Sequence, residues 1–228
     1  MVGYWIIVAL IALAVAATVV ASTVPDQAPA PATATAGRAP LRWVVLAASD
    51  AAPGPEGPTW PELIVADLPP GAVALRNAAV GGITIDLARS EVLPSVLAEE
   101  FDAAVVWLAV NDLAAGRPLP EYLADLDALL GALSGPGHRV AVANIPDLGS
   151  LPALTAFVPA PALRAVAAAW NDGIAEVAAR HGAEVIDLGG SPVPPENLSA
   201  DGFHPSPAGQ RSLADIFGPW VKAQLIGE

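Results

Sequence analysis

The chain has 228 residues, a formal net charge of −13 and no cysteine. That combination excludes thiol catalysis, a disulfide framework and cysteine-based metal sites, and ten Lys and Arg in all supply no cationic patch for nucleic acid. Three scattered histidines offer no metal-ligand spacing, and no phosphate loop or dinucleotide fingerprint occurs, so neither a metal nor a cofactor is expected.

The run Val2–Val24 carries no charged side chain. At ~1.5 Å per residue it is long enough to cross a ~30 Å hydrocarbon layer. Residues 1–24 therefore read as a membrane anchor, with a secretory signal cut after Ala21 as the rival; no Lys or Arg precedes the apolar run, which counts against the signal. Residues 25–40, rich in Pro, Ala and Thr, read as an extended, semi-stiff tether. The expected location is the cell membrane, with one N-terminal pass and an extracytoplasmic domain, or the exterior. Arg38 and Arg42, just past the apolar run, argue weakly for the opposite orientation. Residues 41–228, roughly 190 in number, suit one domain.

Along that domain short apolar runs alternate with helical patterns. RWVVLAA (42–48) reads as a buried strand. In TWPELIVADL, Thr59 and Glu62 have capping-box spacing and Pro61 suits the first turn of a helix. AVALRNAAV (72–80) and DAAVVWLAV (102–110) read as the second and third strands, the latter apolar on both faces as a parallel sheet requires. Leu119, Tyr122, Leu123, Leu126, Leu129, Leu130 and Leu133 make one helical stripe. RVAVANI (139–145) is the fourth strand, a long helix follows between Pro161 and Gly182, and AEVIDL (183–188) is the fifth strand. A last helix starts near Pro207, with a disturbance expected at Gly218-Pro219. Strands alternating with helices imply an α/β domain whose parallel sheet is covered on both faces.

Ligands in such sheets bind beyond the carboxyl ends of the strands. Ser49 follows the first strand, Gly81 and Gly82 the second, and Asn111 and Asp112 the third; the loop DGFHPS, with Asp201 and His204, comes after the fifth. A serine hydroxyl becomes a nucleophile when an imidazole accepts its proton and a carboxylate orients the ring. Ser49, His204 and Asp201 can fill those three roles, with Asp187 as a rival carboxylate. The backbone N–H groups of Ser49 and Gly82 and the side-chain amide of Asn111 can hold the oxyanion. Asp112 reads as a helix cap, while His181, beside a helix-ending Gly182, and His138 read as structural. Leu151, Leu154 and Phe157 either shape an acyl pocket or cover the core.

These blocks together resemble the SGNH hydrolases, also called GDSL esterases and lipases. The match runs through Ser49, Gly82 in NAAVGGIT, Asn111 in AVND, and Asp201 with His204 in DGFHPS, covering about Leu41 to Glu228. The resemblance implies a flavodoxin-like three-layer α/β/α sandwich and metal-free hydrolysis of a small-molecule, glycan or lipid ester. Two departures stand out. The family's Gly-Asp-Ser reads Ala47-Ala48-Ser49 here, with Asp50 displaced across the serine, and Ala109-Val110 stands before Asn111 where the family has a Gly. The alternative they keep open is an inactive member of the fold, acting as a binding module at the cell surface.

Overall fold

The computed structural model describes residues 39–54 and 57–226. The anchor or signal over 1–24 and nearly all of the tether lie outside them. Among the described residues no helix is long and apolar enough to cross a membrane.

Five parallel strands form one sheet: β1 (Leu41–Ala47), β2 (Val73–Asn77), β3 (Ala103–Trp107), β4 (Arg139–Ala143) and β5 (Glu184–Ile186). Their spatial order is β2-β1-β3-β4-β5. This is the flavodoxin-like arrangement, with the change of direction between β1 and β3. Because side chains alternate along a strand, each central strand feeds two cores. Val44 and Leu46 of β1 join Ala104 and Val106 of β3 on one face, whereas Trp43, Val45 and Ala47 join Ala103, Val105 and Trp107 on the other.

The first face is covered by α3 (Leu119–Leu133) and α4 (Ala160–His181), which bury Tyr122, Leu126, Leu129, Leu130 and Leu133 against Leu163, Trp170 and Ile174. α4 ends as its sequence predicts, on Gly182 in the left-handed region at φ 63°. The second face carries α1 (Trp60–Ala66) and α5 (Pro207–Ile226). Trp60 stacks on Phe217 at 4.1 Å, and Trp43 lies against Trp60. At the start of α1 the Glu62 carboxylate accepts both the Thr59 backbone N–H (2.7 Å) and the Thr59 hydroxyl (2.9 Å).

Three expectations need correction. α5 runs unbroken through Gly218-Pro219. The buried Phe217, Trp220 and Val221 on either side of Pro219 hold it to the sheet, and this packing offsets the lost backbone bond. The third apolar run is not all strand: β3 stops at Trp107, and Val110–Ala114 forms a short helix, α2 in chain order. Finally, three consecutive helical pieces, Ile85–Leu87, Ala88–Val92 and Leu93–Leu97, follow β2 where no helix is expected from the sequence. The middle piece is a π-helical turn.

Candidate active site

The carboxyl edge of the sheet gathers the residues singled out in the sequence. Two residues past β1, Ser49 sits in a tight turn in which the N–H groups of Ala51 and Ala52 both reach the Ala48 carbonyl, at 3.2 and 3.1 Å. Gln210 of α5 locks that turn from outside: its amide N–H donates to the Asp50 carbonyl (3.0 Å), and its carbonyl accepts the Trp60 N–H (2.8 Å).

His204 arrives from a loop 155 residues away in sequence. The loop is closed by an antiparallel bridge between Leu198 and Pro205 and by the Ser199 N–H and hydroxyl, both donating to the His204 carbonyl at 2.8 Å. Gly202 makes its turn at φ 68°, against Pro152, where a side chain would be strained. Within the loop one oxygen of Asp201 accepts the N–H groups of Phe203 (2.9 Å) and His204 (3.0 Å), while the other meets His204 Nδ1 at 2.6 Å. His204 Nε2 lies 2.9 Å from Ser49 Oγ. Partial burial works against the Asp201 charge. The ring hydrogen bond from His204 and the two backbone N–H groups outweigh it and hold the carboxyl below its ordinary range.

The rival carboxylate, Asp187, is engaged elsewhere. It accepts the Asn144 amide (2.8 Å) and the Gly189 N–H (3.0 Å). His181 pairs with Asp127 at 3.0 Å, and His138 Nδ1 bonds the Leu133 carbonyl at 3.0 Å beside Phe101, so both are structural as expected.

On the β2 side, Gly82 has φ 74°, and among the described residues no acceptor takes its N–H or that of Ser49. The Asn111 amide donates one hydrogen to the Ile83 carbonyl (3.0 Å), which tethers it to the Gly82 loop and leaves a second hydrogen available. Asp112 is no cap: the N-terminal cap of its helix is Ala109, and Asp112 is fully buried. Its carboxyl accepts the Ile85 N–H at 3.0 Å and faces Arg117 at 3.1 Å, bracing the Gly82–Ile85 loop from behind. Burial raises its pKa to about 6, against the pull of the Ile85 N–H and Arg117.

The acid displaced across the serine, Asp50, has an unusual setting. Asp50 is partly exposed as a residue, yet its Oδ2 is sealed from solvent without a hydrogen-bond partner. Burial raises its pKa to about 7; the N–H groups of Asp50 itself and Ala48 and the Trp60 indole face the carboxyl and only partly compensate. Among the described residues no cluster of acids and histidines could hold a metal ion.

Ser49, Asn111 and His204 open onto a cavity of about 700 Å³. Of the three apolar residues expected to shape a pocket or cover the core, only Leu151 lines it; Leu154 is buried in the core, and Phe157 is 51% exposed.

With this geometry in view, the sequence matches the profile of the GDSL-like lipase/acylhydrolase family over residues 34–212. No curated protein matches it by sequence. Among solved structures, the fold is similar to TesA, with 24% identity, a TM-score of 0.63 and coverage of 80% of this chain and 98% of the other. A lipase/acylhydrolase from Enterococcus faecalis gives 22% identity and a TM-score of 0.60 over 81% of this chain and 96% of that one. The acetyl xylan esterase AlAXEase gives 17% and 0.64 over 79% and 100%. At these identities the likeness is one of fold.

Proposed function

The chain belongs to the GDSL-like lipase/acylhydrolase family, and from that membership we propose that it is a serine esterase, hydrolysing a carboxylic ester through an acyl-enzyme on Ser49. The observation that carries this reading is the continuous hydrogen-bonded line from Asp201 through His204 to Ser49, at 2.6 and 2.9 Å. Asp201 on Nδ1 keeps the ring proton on that side. The Nε2 lone pair then faces the serine hydroxyl, which donates to it. As Ser49 Oγ attacks the ester carbonyl carbon, its proton passes to Nε2, and the imidazolium is stabilised by the Asp201 carboxylate. The carbonyl oxygen gains charge next to the N–H groups of Ser49 and Gly82 and the second amide hydrogen of Asn111. His204 returns its proton to the leaving alcohol. Water, activated by the same ring, then cleaves the acyl-enzyme.

Neither departure from the family pattern removes a reacting atom, and no observation favours an inactive binding module. The test is labelling with a fluorophosphonate. The wild-type protein should be modified at Ser49, Ser49→Ala not at all, and His204→Ala far more slowly. Absence of both labelling and ester turnover in folded wild-type protein would refute the esterase reading.

A further inference from the structure

The cavity beside Ser49 is graded from floor to rim. Trp107 and Leu188, 9% and 8% exposed, form its floor at the ends of β3 and β5. Val193, Phe203 and Leu213, half-buried, make its walls, and Ile216, 43% exposed, stands on α5 at its rim. No Lys or Arg lines it; of its two lining acids, Asp50 has its Oδ2 sealed from solvent, and Asp187 is exposed, with its Oδ1 accepting from Asn144 and Gly189. The wall is preformed. Val193 lies between Pro192 and Pro194, which have few conformations to lose, and its N–H is fixed by the Ser150 hydroxyl at 2.9 Å.

These features discriminate between substrates. A volume of about 700 Å³ is of drug-sized-ligand scale and far exceeds the needs of an acetyl group. An anionic substrate would meet no cation there, in a chain of net charge −13. Beyond Ser49, Asn111 and His204, the polar side chains on its lining are Asp50, Asp187, Ser191, Asn197 and Ser212. Trp107, Leu188, Val193, Phe203, Leu213 and Ile216 make the larger apolar part, against which an unbranched hydrocarbon chain would gain at every methylene.

We propose that this cavity is the site for an extended apolar chain of a neutral ester substrate, so that the protein selects medium-chain esters over acetyl esters. The inference rests on the esterase reading and goes one step further, to the substrate class. An apolar chain can belong to either half of an ester, so two series separate the sources. In the first, p-nitrophenyl acetate, butyrate, octanoate and dodecanoate vary the acyl side; in the second, ethyl, butyl and octyl acetates vary the alcohol.

Burial of each methylene should raise kcat/KM about threefold, on the order of a hundredfold from butyrate to octanoate, in the series whose chain enters the cavity. Ile216→Asp places a charge on the exposed rim, where it is compatible with folding, as a melt would verify. It should lower the octanoate-to-butyrate ratio, or the equivalent alkyl ratio, by roughly tenfold. A rise in the acyl series assigns the cavity to the acyl chain, and a rise in the alkyl series to the alcohol. Turnover that is greatest on acetate and flat or falling with length in both series overturns the inference while leaving the esterase intact. An unchanged chain-length ratio in folded Ile216→Asp also overturns it. No turnover of any ester, with no fluorophosphonate labelling, overturns the esterase reading itself.

Discussion

Asp50→Asn tests whether the acid beside Ser49 is held neutral by its surroundings. An ordinary aspartate titrates near 3.8, whereas burial of Asp50 moves it to about 7 in the folded protein. Between those two values the native state binds more protons than the unfolded chain, so stability falls as pH rises through that window. Each pH unit of difference is worth about 1.36 kcal/mol, which sets a ceiling near 4 kcal/mol; partial exposure of the residue brings the expected effect to about 2–4 kcal/mol. Asparagine has the same shape and never ionises. At pH 4 both side chains are neutral in the folded state and the variant should lie within about 1 kcal/mol of the wild type, since unfolded aspartate is only partly ionised there. At pH 8.5 it should be more stable by about 2–4 kcal/mol, or roughly 5–15 °C in melting temperature. The assay is urea or thermal unfolding of both proteins at the two pH values, taken as a difference so that other titrations cancel. A variant equally or less stable than wild type at pH 8.5 would mean that the Asp50 carboxylate is charged and well satisfied, and the reasoning would fail.

Asn111→Ala should lower kcat by roughly 10²–10³ with KM little changed, because its free amide hydrogen meets charge that develops only in the transition state; a lowered melting temperature with unchanged kcat would make it structural. Arg117→Ala leaves the fully buried Asp112 facing no cation. It should destabilise by about 3–5 kcal/mol at pH 8. The loss should shrink toward pH 5, because the Asp112 carboxyl, already raised to about 6, then accepts a proton and needs no counter-ion; unfolding curves at both values check this, and a pH-independent loss would contradict it.

The strands were legible because β1 and β3 are buried on both faces and read as continuous apolar runs. Asp201 and His204 were legible because their pairing is local, three residues apart in a Gly- and Pro-bracketed loop. The contact between His204 and Ser49 is not local; only the strand order brings together residues 155 apart. What stayed hidden had no periodic signal. The Ala88–Val92 turn interrupts the 3.6-residue repeat, so the helical pieces around it showed no stripe. Pro219 was read by a local rule that tertiary packing overrode. The cavity wall is a Pro-rich strip with no repeat, and its floor comes from the ends of other strands.

Asp112 was misread because an acid at a helix start reads as a cap, whereas its burial is a property of the fold. The placement of Asp50 bears on the departure from the family's Gly-Asp-Ser. The family's acid precedes the serine, where this chain has Ala48. The Asp50 carboxyl nevertheless faces back toward the N–H of Ala48 and of its own residue, while Gln210 holds the Asp50 carbonyl from α5. The turn around Ser49 is thus held by the Ala48 carbonyl and by Gln210, with the Asp50 carboxyl beside it. Asp112 braces the Gly82–Ile85 loop through the Ile85 N–H. Weakening the bond from the Ile85 N–H to Asp112 should therefore disturb the loop that carries Gly82 without removing any atom that the proposed mechanism uses.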